Sequence, residues 1–545
     1  MIWLTPLRRA RLLLALASGL ILAFGFAPYH TPLVSWLAMA MLVFVSLDAR
    51  PITAVLCGAL HGVAFYSLSI YWVYVVMRQY GGLGAPAALG VLALMIAVLT
   101  GFTIAFTAAV AWISRRSLGR ACVAAPFVWV ACEFGRHHIP AIGFPWNLLG
   151  YAVSDNLGLV QVATVTGIYG LSFLVAGYGA LSALLLVERS KLAFGCWLAA
   201  SAVVLPLVLV GGEFVPQPGL PQMQARLVQT SLPQGPYPED WMKQYADVLA
   251  ELGRLSLAGA GTGSSAADGD AGVRPSEAKS GQASSAPAMG AGVSLIVWPE
   301  VPAPLYLQDE RFVNLVRSIA VRGQSPFLFG HIGWKREDDG QLHPYNSATL
   351  LGASGERLYS YDKIHLVPFG EYNPWPRLLW FAGALTQEVS QFRAGSEREI
   401  GELDGGKFAT LICYEAIFGN EVRQFVARGA ELLINISNDG WFGRTAAPDQ
   451  HLAIARVRAV ENRRWLLRAT NNGYTVAVDP YGRMVVRMPA DTRGALDVPF
   501  GFRSDRTVYS WAGDWVAWLS LAVSLGVIWR MRRKEVRRSE DGGQT

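Results

Sequence analysis

Hydropathy divides the chain into three unequal parts. Residues 10–212 are mostly apolar, residues 216–505 alternate like a globular sequence, and a last apolar run fills about 508–530. A bilayer core of ~30 Å takes about 20 apolar residues in a helix. Runs of that size lie near residues 10–28, 32–48, 52–76, 85–113, 120–135, 158–187, 191–211 and 508–530. The pattern therefore predicts eight spans, seven before the globular part and one after it. The fifth is short and ends in Glu133, Arg136, His137 and His138. The first follows Arg8, Arg9 and Arg11 as a signal peptide would, but no small-residue cleavage pattern comes after it. It reads as a retained anchor.

In the globular part, short β-rich runs predict strands at 224–229, 294–298, 327–332, 347–351, 408–412 and 432–436. Helical periodicity occupies 238–256, 309–322 and 449–465, with Asp309 and Asp449 placed as N-caps. Alternating strands and helices define an α/β fold. Runs such as LIVW and LLINI are apolar at every position, which places those strands between two covering layers. Residues 257–293 are almost entirely Ala, Gly, Ser and a few charges. They are too poor in large apolar groups to build a core and read as an inserted surface loop.

Charge adds an orientation. The chain is 52% hydrophobic and 16% charged, against roughly 25% charged in ordinary soluble domains. The net charge of +6 is not gathered into a basic patch interleaved with aromatics, so nucleic acid is not the expected partner. Arg8, Arg9 and Arg11 precede span one, Arg50 follows span two, and Arg115, Arg116 and Arg120 separate spans four and five. Arg189 and Lys191 separate spans six and seven, and Arg530, Arg532, Arg533 and Lys534 follow span eight. If the spans alternate, all these clusters share one side, and that side is cytoplasmic. The globular part follows an odd number of spans and falls on the other side. The expected division is a membrane domain at 1–215, a catalytic domain at 216–505, a last span at 506–530 and a basic tail at 531–545, with both termini cytoplasmic.

Candidate chemistry sits at strand ends. Glu300 closes SLIVWPE, Lys363 lies in YDKIHLVPFGEY, and Cys413 closes KFATLICYE. Functional groups of open α/β sheets converge at the carboxyl ends of strands. Of the five cysteines only Cys413 belongs to the globular part, so it has no intradomain disulfide partner. The absence of CxxC or a His/Cys cluster gives no sign of a metal or other cofactor. Taken alone, Cys413 reads equally well as a buried structural thiol.

The segments WPE at 298–300, YDKIHLVPFGEY at 361–372, ICYEAIFG at 412–419 and NISNDGWFG at 435–443 resemble the nitrilase superfamily. Within it, the seven preceding spans and one following span resemble the bacterial apolipoprotein N-acyltransferases. The resemblance implies a polytopic α-helical membrane domain with an inserted α-β-β-α sandwich and a Glu300–Lys363–Cys413 triad. Cys413 would be the nucleophile, Glu300 the general base, and Lys363 the cation that meets the oxyanion, together with the Tyr414 backbone N–H. Glu371 matches a supporting carboxylate, while Tyr414 and Glu415 are expected to shape the site and orient an incoming amine. His365 and His451 are expected to be rim or structural residues. Trp441 and Phe442 either line an acyl-chain groove or simply pack as aromatics. The family's aromatic substrate contact after the first strand falls in LPQGPYPEDW, where Tyr237, Trp241 or neither takes the role.

The same resemblance implies ping-pong chemistry in the bacterial inner membrane without a cofactor. A phospholipid ester would acylate Cys413, and the α-amine of a diacylglyceryl apolipoprotein would then take the acyl chain. The alternative is a membrane-tethered amidase with water as acceptor.

Overall fold

The computed structural model describes residues 6–140, 142–221, 223–233, 241–258, 293–301, 309–373 and 392–541. The expected insertion at 257–293 falls almost wholly outside these residues, as do Tyr237 and the side chain of Trp241. Among the described residues, nine α-helices precede the first strand: α1 (Pro6–Ala23), α2 (Pro32–Ser46), α3 (Pro51–Ser69), α4 (Trp72–Gln79), α5 (Ala85–Ser114), α6 (Leu118–His137), α7 (Leu157–Val160), α8 (Ala163–Glu188) and α9 (Lys191–Leu209). Proline in the first turn of α2, α3 and α5 starts those helices where an amide donor is not needed. By length and composition α3, α5, α6, α8 and α9 are the five described helices fit to cross a membrane. The fifth expected span is thus a helix of 20 residues, and α1, α2 and the closing helix occupy the other three expected positions.

Two expected spans are not continuous. The third breaks after Ser69 into α3 and α4. The Ser69 carbonyl released there accepts from Gln450 Nε2 at 3.1 Å. The sixth opens with the short α7, and α8 is kinked at Gly167, whose φ is +63°. A Cβ at Gly167 would lie 2.5 Å from the Tyr509 ring, so only glycine permits that approach.

Among the described residues the strands form two six-stranded sheets. One has the order β12–β1–β2–β3–β4–β5 and the other β11–β10–β9–β8–β7–β6. Their ranges are β1 (Met223–Gln229), β2 (Leu295–Val297), β3 (Phe327–Arg336), β4 (Leu342–Leu351), β5 (Arg357–Asp362), β6 (Gly401–Leu403), β7 (Gly406–Ile412), β8 (Leu432–Ser437), β9 (Trp465–Thr470), β10 (Val476–Val478), β11 (Met484–Arg487) and β12 (Gly494–Phe500). The centres are parallel: β1 with β2 and β2 with β3, then β7 with β8 and β8 with β9. Leu227, Val297, Leu328, Leu411, Ile434 and Leu467 meet in the apolar layer between the sheets. The outer face of the first sheet packs Ile296, Trp298 and Phe329 on α10 (Trp241–Leu257) and α11 (Glu310–Gly323). On the second sheet lie α12 (Gly419–Ala427) and α13 (Ala447–Asn462). This is the expected sandwich, with all six expected strands in place.

Asp309 caps α11 as expected, accepting from the Arg311 N–H at 2.9 Å. Asp449 does not cap α13. That helix starts two residues earlier because Pro448 sits in its first turn, and Ala446 takes the cap position. Its end also comes earlier than expected, at Arg463 with φ +54°, so Trp465 already belongs to β9. Almost every α13 residue is buried, since the second sheet covers one side and the membrane helices the other. Ile454, Val457 and Val460 accordingly join the core of the membrane domain.

A short α14 (Val508–Ala512) leads into the closing helix α15 (Trp515–Asp541). The two ends of the helical bundle differ in kind. At one end Arg11 donates to the Leu47 carbonyl (3.0 Å), the Asp48 N–H donates to Ser114 Oγ (2.8 Å), and Arg116 donates to the Met531 carbonyl (3.2 Å). The basic loops therefore gather together. At the other end Trp72 and Trp146 both donate their indole N–H to Gln450 of α13, at 3.2 and 2.7 Å.

Candidate active site

Three strand ends bring the expected triad together. Glu300 follows β2, Lys363 follows β5, and Cys413 follows β7. Lys363 is 1% exposed, and its Nζ donates to Glu300 at 3.2 Å and to Glu371 at 3.0 Å. Its own N–H extends the ladder to the Asn346 carbonyl at 2.9 Å, which holds the side chain to the sheet edge. Glu300 is fixed at both oxygens: Asn346 Nδ2 donates to Oε1 (2.7 Å) and the Asn438 N–H donates to Oε2 (2.9 Å). Asn346 Nδ2 also donates to Glu371 at 2.7 Å, so one amide ties both carboxylates to the lysine. The second oxygen of Glu371 accepts from the Val367 N–H at 2.8 Å. Gly330 on β3 lies directly behind Glu300: a Cβ there would come within 2.8 Å of its Cα.

Cys413 stands at a strained elbow. Its φ is +51°, in the left-handed region that residues other than glycine rarely occupy. The turn Cys413–Ile417 that follows is held by Glu415. That carboxylate is fully buried and accepts from Tyr361 Oη (2.7 Å) and the N–H groups of Ile364 (2.7 Å), His365 (3.2 Å) and Ile412 (2.7 Å). Four donors occupy Glu415, so its work here is to fasten the Cys413 turn to the Lys363 loop rather than to meet an amine. Tyr414 is half-buried and packs edge-on against Phe418, 5.2 Å between centroids. His365 stacks on Phe418 at 4.6 Å, a rim position as expected.

Beneath the elbow lies a polar cluster built from NISNDG. Asp439 accepts from Ser437 (2.8 Å) and Arg468 (2.7 Å), and Arg468 also donates to Asn435. His451 is fully buried with Nδ1 3.0 Å from Asp439 and Nε2 3.2 Å from the Cys413 carbonyl. A carbonyl can only accept, so Nε2 carries the proton. Burial, followed by the neighbouring Arg468 charge, lowers the His451 pKa. His451 is then a buried prop under Cys413, the structural role expected of it. Trp441 is 44% exposed and packs edge-on to Tyr80, whereas Phe442 packs between Trp72 and Trp146.

The electrostatics divide the labour. Burial pulls the Lys363 ammonium down, but Glu300, Glu371 and Cys413 outweigh it, so the pKa ends above the ordinary lysine value. Lys363 is a permanent cation and not a proton carrier. Burial and then the charge of Glu300 push the Cys413 thiol up, with Lys363 opposing. At rest Cys413 is therefore a protonated thiol. Asn346, Asn438 and Arg468 were missed by sequence reasoning. Asn346 reads as one more polar residue in a strand, and only its position between two carboxylates gives it meaning.

A sandwich of two mixed sheets with a Glu–Lys–Glu cluster around a buried lysine, beside a cysteine at a strained turn, defines a nitrilase-type enzyme, here carried on a membrane domain. Residues 242–500 match the carbon-nitrogen hydrolase family, and residues 18–181 match the apolipoprotein N-acyltransferase N-terminal domain. Apolipoprotein N-acyltransferases from Geobacter metallireducens and Methylococcus capsulatus are each 32% identical to the chain. The first alignment covers 94% of this chain and 93% of that protein, and the second 96% of both. Among solved structures, an amidase from Nesterenkonia sp. aligns at 19% identity over 53% of this chain and 94% of its own, with a TM-score of 0.35. A Saccharomyces cerevisiae member of branch 10 of the nitrilase superfamily aligns at 16% identity over 51% and 90%, also with a TM-score of 0.35. The chain belongs to the apolipoprotein N-acyltransferase family and is a membrane acyltransferase.

Proposed function

We propose that this chain transfers an acyl chain from a phospholipid, through a thioester on Cys413, to the α-amine of a diacylglyceryl-cysteine apolipoprotein. Its place is the bacterial inner membrane, with the catalytic domain on the periplasmic side. The observation that carries this reading is the direct bracing of the nucleophile against membrane helices. The Cys413 carbonyl meets His451, the His451 ring lies 5.5 Å from that of Trp146, and Gln450 bonds both Trp72 and Trp146. A thiol joined in this way to the end of a helical bundle supports a reaction with an ester at the membrane surface. The orientation is supported by the basic loops gathered at the bundle end opposite this junction, where a cytoplasmic face requires them.

In the first half-reaction Glu300 takes the Cys413 proton while Sγ bonds to the ester carbon. Lys363 faces the charge that grows on the carbonyl oxygen. The ester C–O bond breaks, and the leaving glycerol oxygen takes the proton from Glu300. In the second, the amine nitrogen bonds to the thioester carbon, the C–S bond breaks, and a proton returns to the thiol by way of Glu300. Glu371, Tyr414 and Glu415 hold these groups in register.

The competing reading is an amidase that uses water. Purified enzyme incubated with phosphatidylethanolamine vesicles and a diacylglyceryl-cysteine peptide separates the two. The expected products are lysophospholipid and N-acylated peptide in equal amounts. Free fatty acid with no acylated peptide would replace this proposal with the hydrolytic one.

A further inference from the structure

Near the catalytic end of α6 a cavity of about 20 Å³ opens inside the membrane domain, lined by Glu133, Arg136, Asn147, Tyr66 and Thr103 among others. Charged side chains buried in an apolar bundle are costly unless their polar atoms are satisfied. Glu133, Arg136 and Asn147 are 5%, 2% and 4% exposed. Each keeps one buried polar atom without a hydrogen-bond partner among the described residues: Glu133 Oε2, Arg136 Nε and Asn147 Nδ2. One acceptor and two donors on residues that line a space larger than the ~10–15 Å³ a water needs make a site for a single bridging water.

The partnered atoms of the same residues reach toward the nucleophile. Glu133 Oε1 accepts from the Leu149 N–H at 2.6 Å and from Trp129 at 3.0 Å. Arg136 donates to Tyr66 at 2.8 Å and to the Asn147 carbonyl at 3.4 Å, while its own carbonyl accepts from the Phe144 N–H at 3.3 Å. The segment 144–149 is thus bonded at several points to one turn of α6, and it carries Asn147 at φ +51°. Its Trp146 is fully buried against His451, the residue under Cys413.

We infer that Glu133, Arg136 and one bound water form a clasp inside the membrane domain that positions Trp146 and, through His451, the Cys413 elbow. These are positioning residues, with no contact to substrate, and the inference rests on Cys413 being the nucleophile. A misplaced nucleophile slows chemistry without weakening substrate binding.

The test measures Cys413 acylation by phosphatidylethanolamine vesicles in the full-length enzyme, with intact-mass detection. Glu133→Ala should lower the maximal acylation rate by about ten-fold or more while the half-saturating lipid concentration changes by less than about two-fold. Glu133→Gln, which keeps an acceptor for the Leu149 N–H, should recover most of the rate. Trp146→Phe, outside the clasp, should give a similar rate loss, and the double variant should fall well short of the product of the two. A normal maximal rate in Trp146→Phe overturns the inference even if Glu133→Ala does not fold, as does an additive double variant or a loss confined to lipid binding. Cys413→Ala serves as the separate arm: acylation that persists there refutes the nucleophile itself, whereas its loss alongside normal Glu133 and Trp146 variants refutes only the clasp.

Discussion

Replacing Cys413 with alanine removes the acyl-enzyme and lowers N-acyl transfer to background. Loss of the nucleophile from an acyl-transfer constellation costs on the order of 10⁶-fold in turnover. The fold should tolerate the change. The side chain is small, its Sγ closes no disulfide, and the backbone is held from outside by the four donors on Glu415 and by His451. Cys413→Ala protein should therefore purify and unfold like the wild type while showing no lipid-dependent mass increase. Serine should be nearly as inactive, because the site is organised around a thiol that loses its proton only during attack. The raised thiol pKa adds a pH signature. Alkylation of Cys413 by iodoacetamide should be slow at neutral pH and climb steadily through the alkaline range, since the reactive thiolate fraction grows as pH approaches that raised value. Fast, pH-independent alkylation between pH 6 and 8 would mean a resting thiolate and no need for Glu300 as base.

The second large effect belongs to Lys363, and it strikes stability as well as rate. In Lys363→Met the buried Glu300 and the half-buried Glu371 remain on a shared Asn346 amide with no cation between them. Breaking a buried pair from one side costs about 3–5 kcal/mol. That loss should appear as a fall in the unfolding temperature of the detergent-solubilised enzyme. Acylation of Cys413 should drop by roughly 10²–10³-fold, the cost of removing one oxyanion partner. The sign of the pH effect follows from the raised lysine pKa. A cation whose pKa is higher when folded stabilises at every pH below its ordinary value, and that contribution fades only as pH rises through the folded value. The gap between wild type and Lys363→Met should then stay wide from pH 6 to 9. A variant as stable and as fast as wild type would remove Lys363 from both roles.

Much of this architecture was legible because its signals are long. Runs of about 20 apolar residues mark helices whatever their neighbours, and fully apolar stretches such as LLINI read as strands covered on both sides. What escaped were features set by tertiary contact. The break after Ser69 exists because Gln450, distant in sequence, satisfies the carbonyl it frees. The kink at Gly167 exists because a tyrosine ring occupies the space. Strands β5, β6 and β9 to β12 are short, or edge-placed, or abut a helix, and their pattern is weak without the sheet beside them.

At the site the gathering of Glu300, Lys363 and Cys413 was legible only through the resemblance of their flanking motifs. Nothing local in WPE or CYE distinguishes a base or a nucleophile from a satisfied core residue. Glu415 illustrates the converse. It matches the family pattern beside the nucleophile, yet its four hydrogen bonds make it a fastening for the turn rather than a contact for an amine. Asn346 carries no sequence signal at all and nonetheless bonds both carboxylates around Lys363.

The central claim is that one thiol both receives the acyl chain from lipid and delivers it to an amine. A single-turnover chase tests it most directly. Enzyme charged from phosphatidylethanolamine is freed of excess lipid, mixed with a diacylglyceryl-cysteine peptide, and followed by intact-mass spectrometry. The account predicts a Cys413 thioester that disappears at the rate at which an amide-linked acyl chain appears on the peptide. A thioester that persists while the peptide is acylated, or one that discharges only as free fatty acid, would contradict it.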